Sequence, residues 1–109
     1  KKYQEAITYL DQFKSDDMLL AALAKGAIGD DFMQLDQKEE ALKYYKEAVA
    51  KNANEVTTPR FLLKAGITAL ELGKAGEAYD FFHKITEEFK DSPEAAKAKT
   101  YKGQAEAMK

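Results

Sequence analysis

Few side chains in this sequence could do chemistry, and their types and spacing decide which chemistry is open. His83 is the only histidine, so neither an imidazole relay nor a set of imidazole metal ligands can be assembled. It lies beside Phe81 and Phe82 and reads as a partly exposed helix residue. Serine occurs only at Ser15 and Ser92, both at helix-cap positions, and neither sits in the glycine-flanked elbow that presents a nucleophile. Cysteine is absent, which removes thiolate nucleophiles, thiolate metal sites and disulfides together and leaves the redox compartment open. The acidic pairs Asp16-Asp17 and Asp30-Asp31 remain as candidates for a cation, but neither is followed by the alternating acids, glycine and distal glutamate of a calcium loop. The first pair reads as helix-dipole partners and the second as a solvated helix face. Gly73-Lys74-Ala75-Gly76 lacks phosphate-loop spacing and follows a helix instead of a strand, so it reads as a helix stop and tight turn. The residues predict no catalytic group, no cofactor and no metal, and so no enzyme.

The elements that position these residues are bounded by composition. A chain of 109 residues with 45% apolar and 33% charged residues has the size of one domain with one core, and it should fold. Lys and Arg number 17 against 19 Asp and Glu, which leaves no surplus of cations for a phosphate backbone and predicts no nucleic-acid partner. The longest apolar run, Met18 to Ala24, is far short of the roughly 20 residues that span a bilayer, so no direct membrane insertion is expected. The chain starts at Lys1 in what reads as the middle of a helix, and it is expected to be a piece of something longer.

Apolar periodicity is helical throughout, with no alternating strand pattern. Residues 1–14 place Ala6, Ile7, Leu10 and Phe13 on one face. Ser15 is an N-cap candidate for a second helix running to about Leu35. Asp36-Gln-Lys-Glu39 has the form of a capping box before a third helix whose buried face is Ala41, Leu42, Tyr45, Ala48 and Val49. A loop over 52–58 ends with Thr58 as cap and Pro59 at the first helical position. The fourth helix is then expected at about 59–72, stopping at Gly73, and the fifth at about 75–89. Asp91-Ser92-Pro93-Glu94 repeats the cap-then-proline signal before the sixth. Short connections make neighbouring helices antiparallel hairpins.

The spacing also repeats. Gly29, Gly66 and Gly103 stand 37 residues apart, as do Ala41 and Ala78, and Tyr45 and Phe82. A mid-helix glycine costs about 1 kcal/mol relative to alanine, so equal spacing of three predicts a packing reason: small residues let two helix axes approach closely, and the aromatic fills the space between hairpins. Ile28-Gly29-x-x-Phe32 with Ala41, Tyr45 and Ala48 behind it resembles the tetratricopeptide repeat, and Gly66, Ala78 and Phe82 resemble a degenerate second copy, with Ala65, Ala69 and Ile85 departing from the pattern. The spacing of 37 exceeds the family's roughly 34 residues, which fits a lengthened loop at 52–58.

That resemblance implies an all-α fold, a right-handed α-solenoid of antiparallel hairpins with about six helices. A single domain over 1–109 would comprise an orphan second helix (1–14), hairpins at 16–51 and 58–89, and an orphan first helix (93–109). The strings Lys2 to Leu10, Asp16-Asp17-Met18 and Tyr44-Tyr45-Lys46-x-Ala48 are also similar to bacterial repeat proteins anchored to the membrane, among them ancillary subunits of the secretion translocon. This implies a periplasmic or cytoplasmic face of a bacterial inner membrane, reached through an anchor outside this sequence, and otherwise a cytoplasmic location.

Stacked hairpins line a concave side with their first helices, a geometry that suits an extended protein or peptide partner. Leu63, Ile67 and Leu70 form a second apolar stripe on helix four. The stripe either packs against helix two or six, or part of it, Leu63 and Ile67, lies in the groove flanked by Arg60, Lys64 and Glu71, with Asp30, Met33 and Gln34 joining from the first hairpin and Lys97, Thr100 and Gln104 from the last. Some family members grip a terminal carboxylate with Lys and Asn flanking the motif glycine; here those positions are Gly26 and Asp30, then Leu63 and Ile67, so that clamp is not built. The function expected is a non-enzymatic protein-interaction scaffold. The alternative is self-association, a homo-oligomer formed through apolar faces of the unpaired terminal helices.

Overall fold

Helix boundaries lie where backbone groups lose their intrahelical partners, and in this chain two of those boundaries repeat. A computed structural model of the protein describes residues 3–7, 18–51 and 54–109. Residues 3–7 are helical (α1), followed by α2 (Met18–Gln34), α3 (Lys38–Lys51), α4 (Thr57–Glu71), α5 (Ala75–Glu88) and α6 (Ala95–Met108). Among the described residues every regular element is a helix, so the protein is all-α. The cap expected at Ser15, and Leu10 and Phe13 of the first helix, lie outside the described residues.

α2 and α4 end alike. The Asp36 N–H donates to the Met33 carbonyl at 3.0 Å and the Gln37 N–H to Phe32 at 2.9 Å; Gly73 donates to Leu70 at 3.0 Å and Lys74 to Ala69 at 2.8 Å. Both are Schellman closures, which place the residue after the C-cap in the left-handed region. Asp36 has φ 59° and Gly73 φ 78°. This corrects the capping box expected at Asp36 to Glu39. Asp36 terminates α2, and the Gln37 carbonyl accepts the first bond of α3 from Ala41. An Asp-x-x-Glu string suits either role, but with three residues between the helices the chain must reverse through a left-handed residue, and that demand falls on position 36. A side chain there costs on the order of 1 kcal/mol relative to glycine. Asp36→Gly is therefore expected to stabilise the protein by about 0.5–1 kcal/mol, read as a higher urea midpoint at unchanged slope. A lowered midpoint would show that the Asp36 side chain supports the turn.

Two other starts differ from expectation. α4 begins at Thr57, and Asn54 caps it in place of Thr58: the Asn54 Oδ1 accepts the N–H groups of Val56 and Thr57 at 2.8 and 2.7 Å. The Thr58 Oγ1 in turn accepts the Asn54 N–H at 2.8 Å, and the Thr57 Oγ1 accepts the Asn54 side-chain amide at 2.6 Å. Both threonines are buried, so these bonds satisfy hydroxyls that would otherwise lose water without replacement. α6 begins at Ala95, two residues after Pro93, because the Ser92 hydroxyl donates back to the Phe89 carbonyl at 2.7 Å instead of capping forward.

Packing follows chain order. α2 lies on α3, α3 on α4, α4 on α5 and α5 on α6, while α2 and α6 each also touch α4. Connections of three to six residues between helices in contact force successive helices to run antiparallel. Two glycines decide how close they come. A Cβ on Gly29 would stand 2.7 Å from the Tyr45 ring, and one on Gly66 would stand 2.4 Å from the Phe82 ring. Tyr45 and Phe82 then stack on the next helix, against Phe61 (centroids 6.4 Å) and Tyr101 (5.4 Å). Gly26, which breaks the 37-residue period, carries the ring of Phe61: a Cβ there would meet Phe61 Cζ at 2.1 Å. Nothing lies within 4 Å of the equivalent position on Gly103, so the packing reason expected of all three periodic glycines holds for two. The core is closed by Leu62, Ile85 and a series of buried alanines that includes Ala41, Ala65, Ala69 and Ala78.

Candidate functional site

α4 touches every other long helix, and the strip it shares with α2 and α6 is where the expected partner residues fall. At the α2 end of the strip, charge is spent internally. The Lys64 ammonium donates to both carboxylate oxygens of Asp30, at 2.8 and 3.0 Å, and the Tyr45 hydroxyl donates to the same carboxylate at 2.5 Å. One acid thus ties α2, α3 and α4 together. Burial, followed by the hydrogen bond and charge of Asp30, pushes the Tyr45 phenol far above its ordinary value, so it stays a proton donor at any physiological pH. Lys64 and Asp30 accordingly serve as an internal tie more than as free groups of a groove. Met33 also turns inward, its sulfur 3.7 Å from the Thr68 hydroxyl.

Asp31 is the strained member of its pair. Desolvation, then the charge of Asp30, holds its carboxyl above the usual 3.8. A folded value above the unfolded one means that ionised Asp31 opposes folding: the penalty is absent below about pH 3.8, where the group is protonated in both states, and builds as pH rises through the folded value. Its place in the last turn of α2, at the negative end of the helix dipole, acts in the same direction. Asp31→Asn is expected to stabilise the protein by about 0.5 kcal/mol at pH 7, with the gain vanishing near pH 3. A gain that persists at pH 3 would trace to something other than the charge.

At the α6 end the strip opens. Ile67, Leu70 and Glu71 of α4 face Tyr101, Gln104, Ala107 and Met108 of α6 across a shallow depression of about 490 Å³. Of the residues expected in a groove, Ile67, Glu71 and Gln104 meet here; Leu70, Tyr101, Ala107 and Met108 are additions. Leu63, Ile67 and Leu70 are all half-buried, so the stripe is neither sealed between helices nor free. Gln34, Lys97 and Thr100 are exposed away from this depression, and Arg60 lies over the ring of its neighbour Phe61 at 5.6 Å. Glu71 is 44% exposed at its side chain and pairs with Lys38 at 3.6 Å; pairs of this kind are worth about 0–1 kcal/mol.

Exposed apolar surface on α6 lies at Ala107 and Met108, while the row equivalent to the glycine rows of α2 and α4 is polar. The row that carries the glycine reads Lys25, Ile28, Gly29 and Phe32 on α2, and Leu62, Ala65, Gly66 and Ala69 on α4, but Lys99, Lys102, Gly103 and Glu106 on α6. Lys102 folds back onto α5, donating to the Thr86 hydroxyl at 3.1 Å and approaching His83 Nδ1 at 3.5 Å. His83 otherwise stacks on Tyr79 with centroids 5.6 Å apart and is exposed. Among the described residues no group of three or more His, Asp or Glu could hold a metal ion, and no helix is long and apolar enough to cross a membrane. Compared with protein-family models, curated proteins and solved structures, the chain has no match in any of the three.

Proposed function

We propose that this chain is a tetratricopeptide-like scaffold, a short right-handed solenoid that holds a partner polypeptide along the strip formed by α2, α4 and α6. The observation that carries the reading is the recurrence, 37 residues on, of a whole local geometry. Glycine under aromatic ring (Gly29 with Tyr45, Gly66 with Phe82) and the left-handed closure (Asp36, Gly73) each occur twice in register. Repeated hairpins of this kind leave one face of successive first helices for an extended ligand. The reading is non-enzymatic, since the residue types needed for acid-base, nucleophilic or metal chemistry are missing from the sequence or scattered along it. A photo-crosslinking residue at position 67, introduced in the protein in its own cells, should yield a discrete protein adduct, and the same residue at position 84 on α5 should not. Equal adducts from both positions, or none from 67, would overturn the assignment.

A further inference from the structure

The depression between α4 and α6 has a lining that selects a particular kind of segment. Its walls are apolar at Ile67, Leu70, Tyr101 and Met108, with the amide of Gln104 and one charged group, Glu71. Met108 is 54% exposed, and apolar surface of this sort is stabilised by being covered. Two further features add negative potential. α4 ends at Glu71 and α6 at Met108, so the C-terminal ends of two helices, each equivalent to about half a negative charge, converge on the site. Asp30 at the other end of the strip is already neutralised by Lys64, and Lys109 sits over the Tyr79 ring at 4.3 Å, with Glu106 its ion-pair partner at 3.7 Å. Glu71 pairs with Lys38 at 3.6 Å, longer than the 2.8 Å between Lys64 and Asp30, and its side chain stays 44% exposed to a second cation.

We infer that the α4–α6 depression docks a partner segment that presents a large apolar side chain flanked by a lysine or arginine, the apolar group covering Ile67, Leu70 and Met108 and the cation reaching Glu71. The inference rests on the scaffold reading and names the chemistry of its partner. The apolar walls span residues 101–108 on α6, about 10 Å at 1.5 Å per residue, which accommodates one or two side chains and therefore an anchor instead of a whole groove-filling helix.

The test uses the full chain, labelled with nitrogen-15, and two capped 14-residue leucine-based helical peptides as probes, one with lysine and one with glutamate at every polar position. The lysine peptide is expected to shift amides of residues 67–71 and 101–108 and to bind about tenfold more tightly than the glutamate peptide at low salt. Glu71→Gln should remove most of that preference while leaving the melting temperature near that of the parent. Lys84→Glu, on an exposed position of α5, should leave it unchanged. Equal binding of both peptides at these amides would overturn the cation preference and leave the scaffold reading standing. Shifts confined to other residues, or none with either peptide, would overturn the depression as a docking site and count against the scaffold reading as well.

Discussion

Replacing Phe82 by alanine is expected to cost about 3–5 kcal/mol, enough to bring a domain of this size close to its unfolding threshold at 25 °C. The ring is fully buried, lies on Gly66 in α4 and stacks on Tyr101 in α6 at 5.4 Å, so it joins three helices at once. Its removal leaves a cavity between Gly66 and the Tyr101 ring, and the glycine has no side chain to move into it. Urea denaturation followed by circular dichroism would measure the loss. A cost under about 1.5 kcal/mol, the range of volume-conserving core changes, would mean that α6 closes into the space and that the ring is not what holds α4, α5 and α6 together.

The second large effect concerns the periodic glycines and has a built-in contrast. Gly66→Ala places a Cβ 2.4 Å from the Phe82 ring, and overpacking of this order costs about 1–3 kcal/mol. Gly103→Ala meets nothing within 4 Å and should stabilise α6 by about 0.5–1 kcal/mol through helix propensity alone. Identical substitutions at equivalent positions thus change stability in opposite directions. Coupling separates the causes further: pairing Gly66→Ala with Phe82→Leu should recover part of the loss, giving an interaction energy of about 0.5–3 kcal/mol in a double-mutant cycle. Strict additivity would show that the Cβ and the ring do not collide.

Much of this architecture was legible from spacing. The period of 37 in Gly29, Ala41 and Tyr45 marks two of the close approaches, at Gly29 and Gly66, because a mid-helix glycine is a cost that needs a compensating contact. What the period could not convey is which features depart from it. Gly26 has no periodic counterpart, the equivalent positions being Leu63 and Thr100, yet it is where the Phe61 ring meets α2. Asp36 was ambiguous because one residue type serves both helix caps and left-handed turns. Thr58-Pro59 matched a start signal, and the buried hydroxyls of Thr57 and Thr58 moved the capping role to Asn54.

The candidate site was legible in its apolar part and not in its charges. Ile67 and Glu71 follow from the second stripe on α4, but the tie between Lys64 and Asp30 joins residues 34 apart, a separation no local pattern reports. The polar row on α6 could have been found: carrying the period one step further places Lys99, Lys102 and Glu106 where α4 has Leu62, Ala65 and Ala69.

That row has a consequence for construction. The equivalent row on α4 is buried and apolar, whereas on α6 it carries two lysines and a glutamate, with Lys102 already engaged by α5. A helix packed on that row as α5 packs on α4 would meet Lys99, Lys102 and Glu106 in place of Leu62, Ala65 and Ala69, so it would have to offer charge where α5 offers the ring of Phe82.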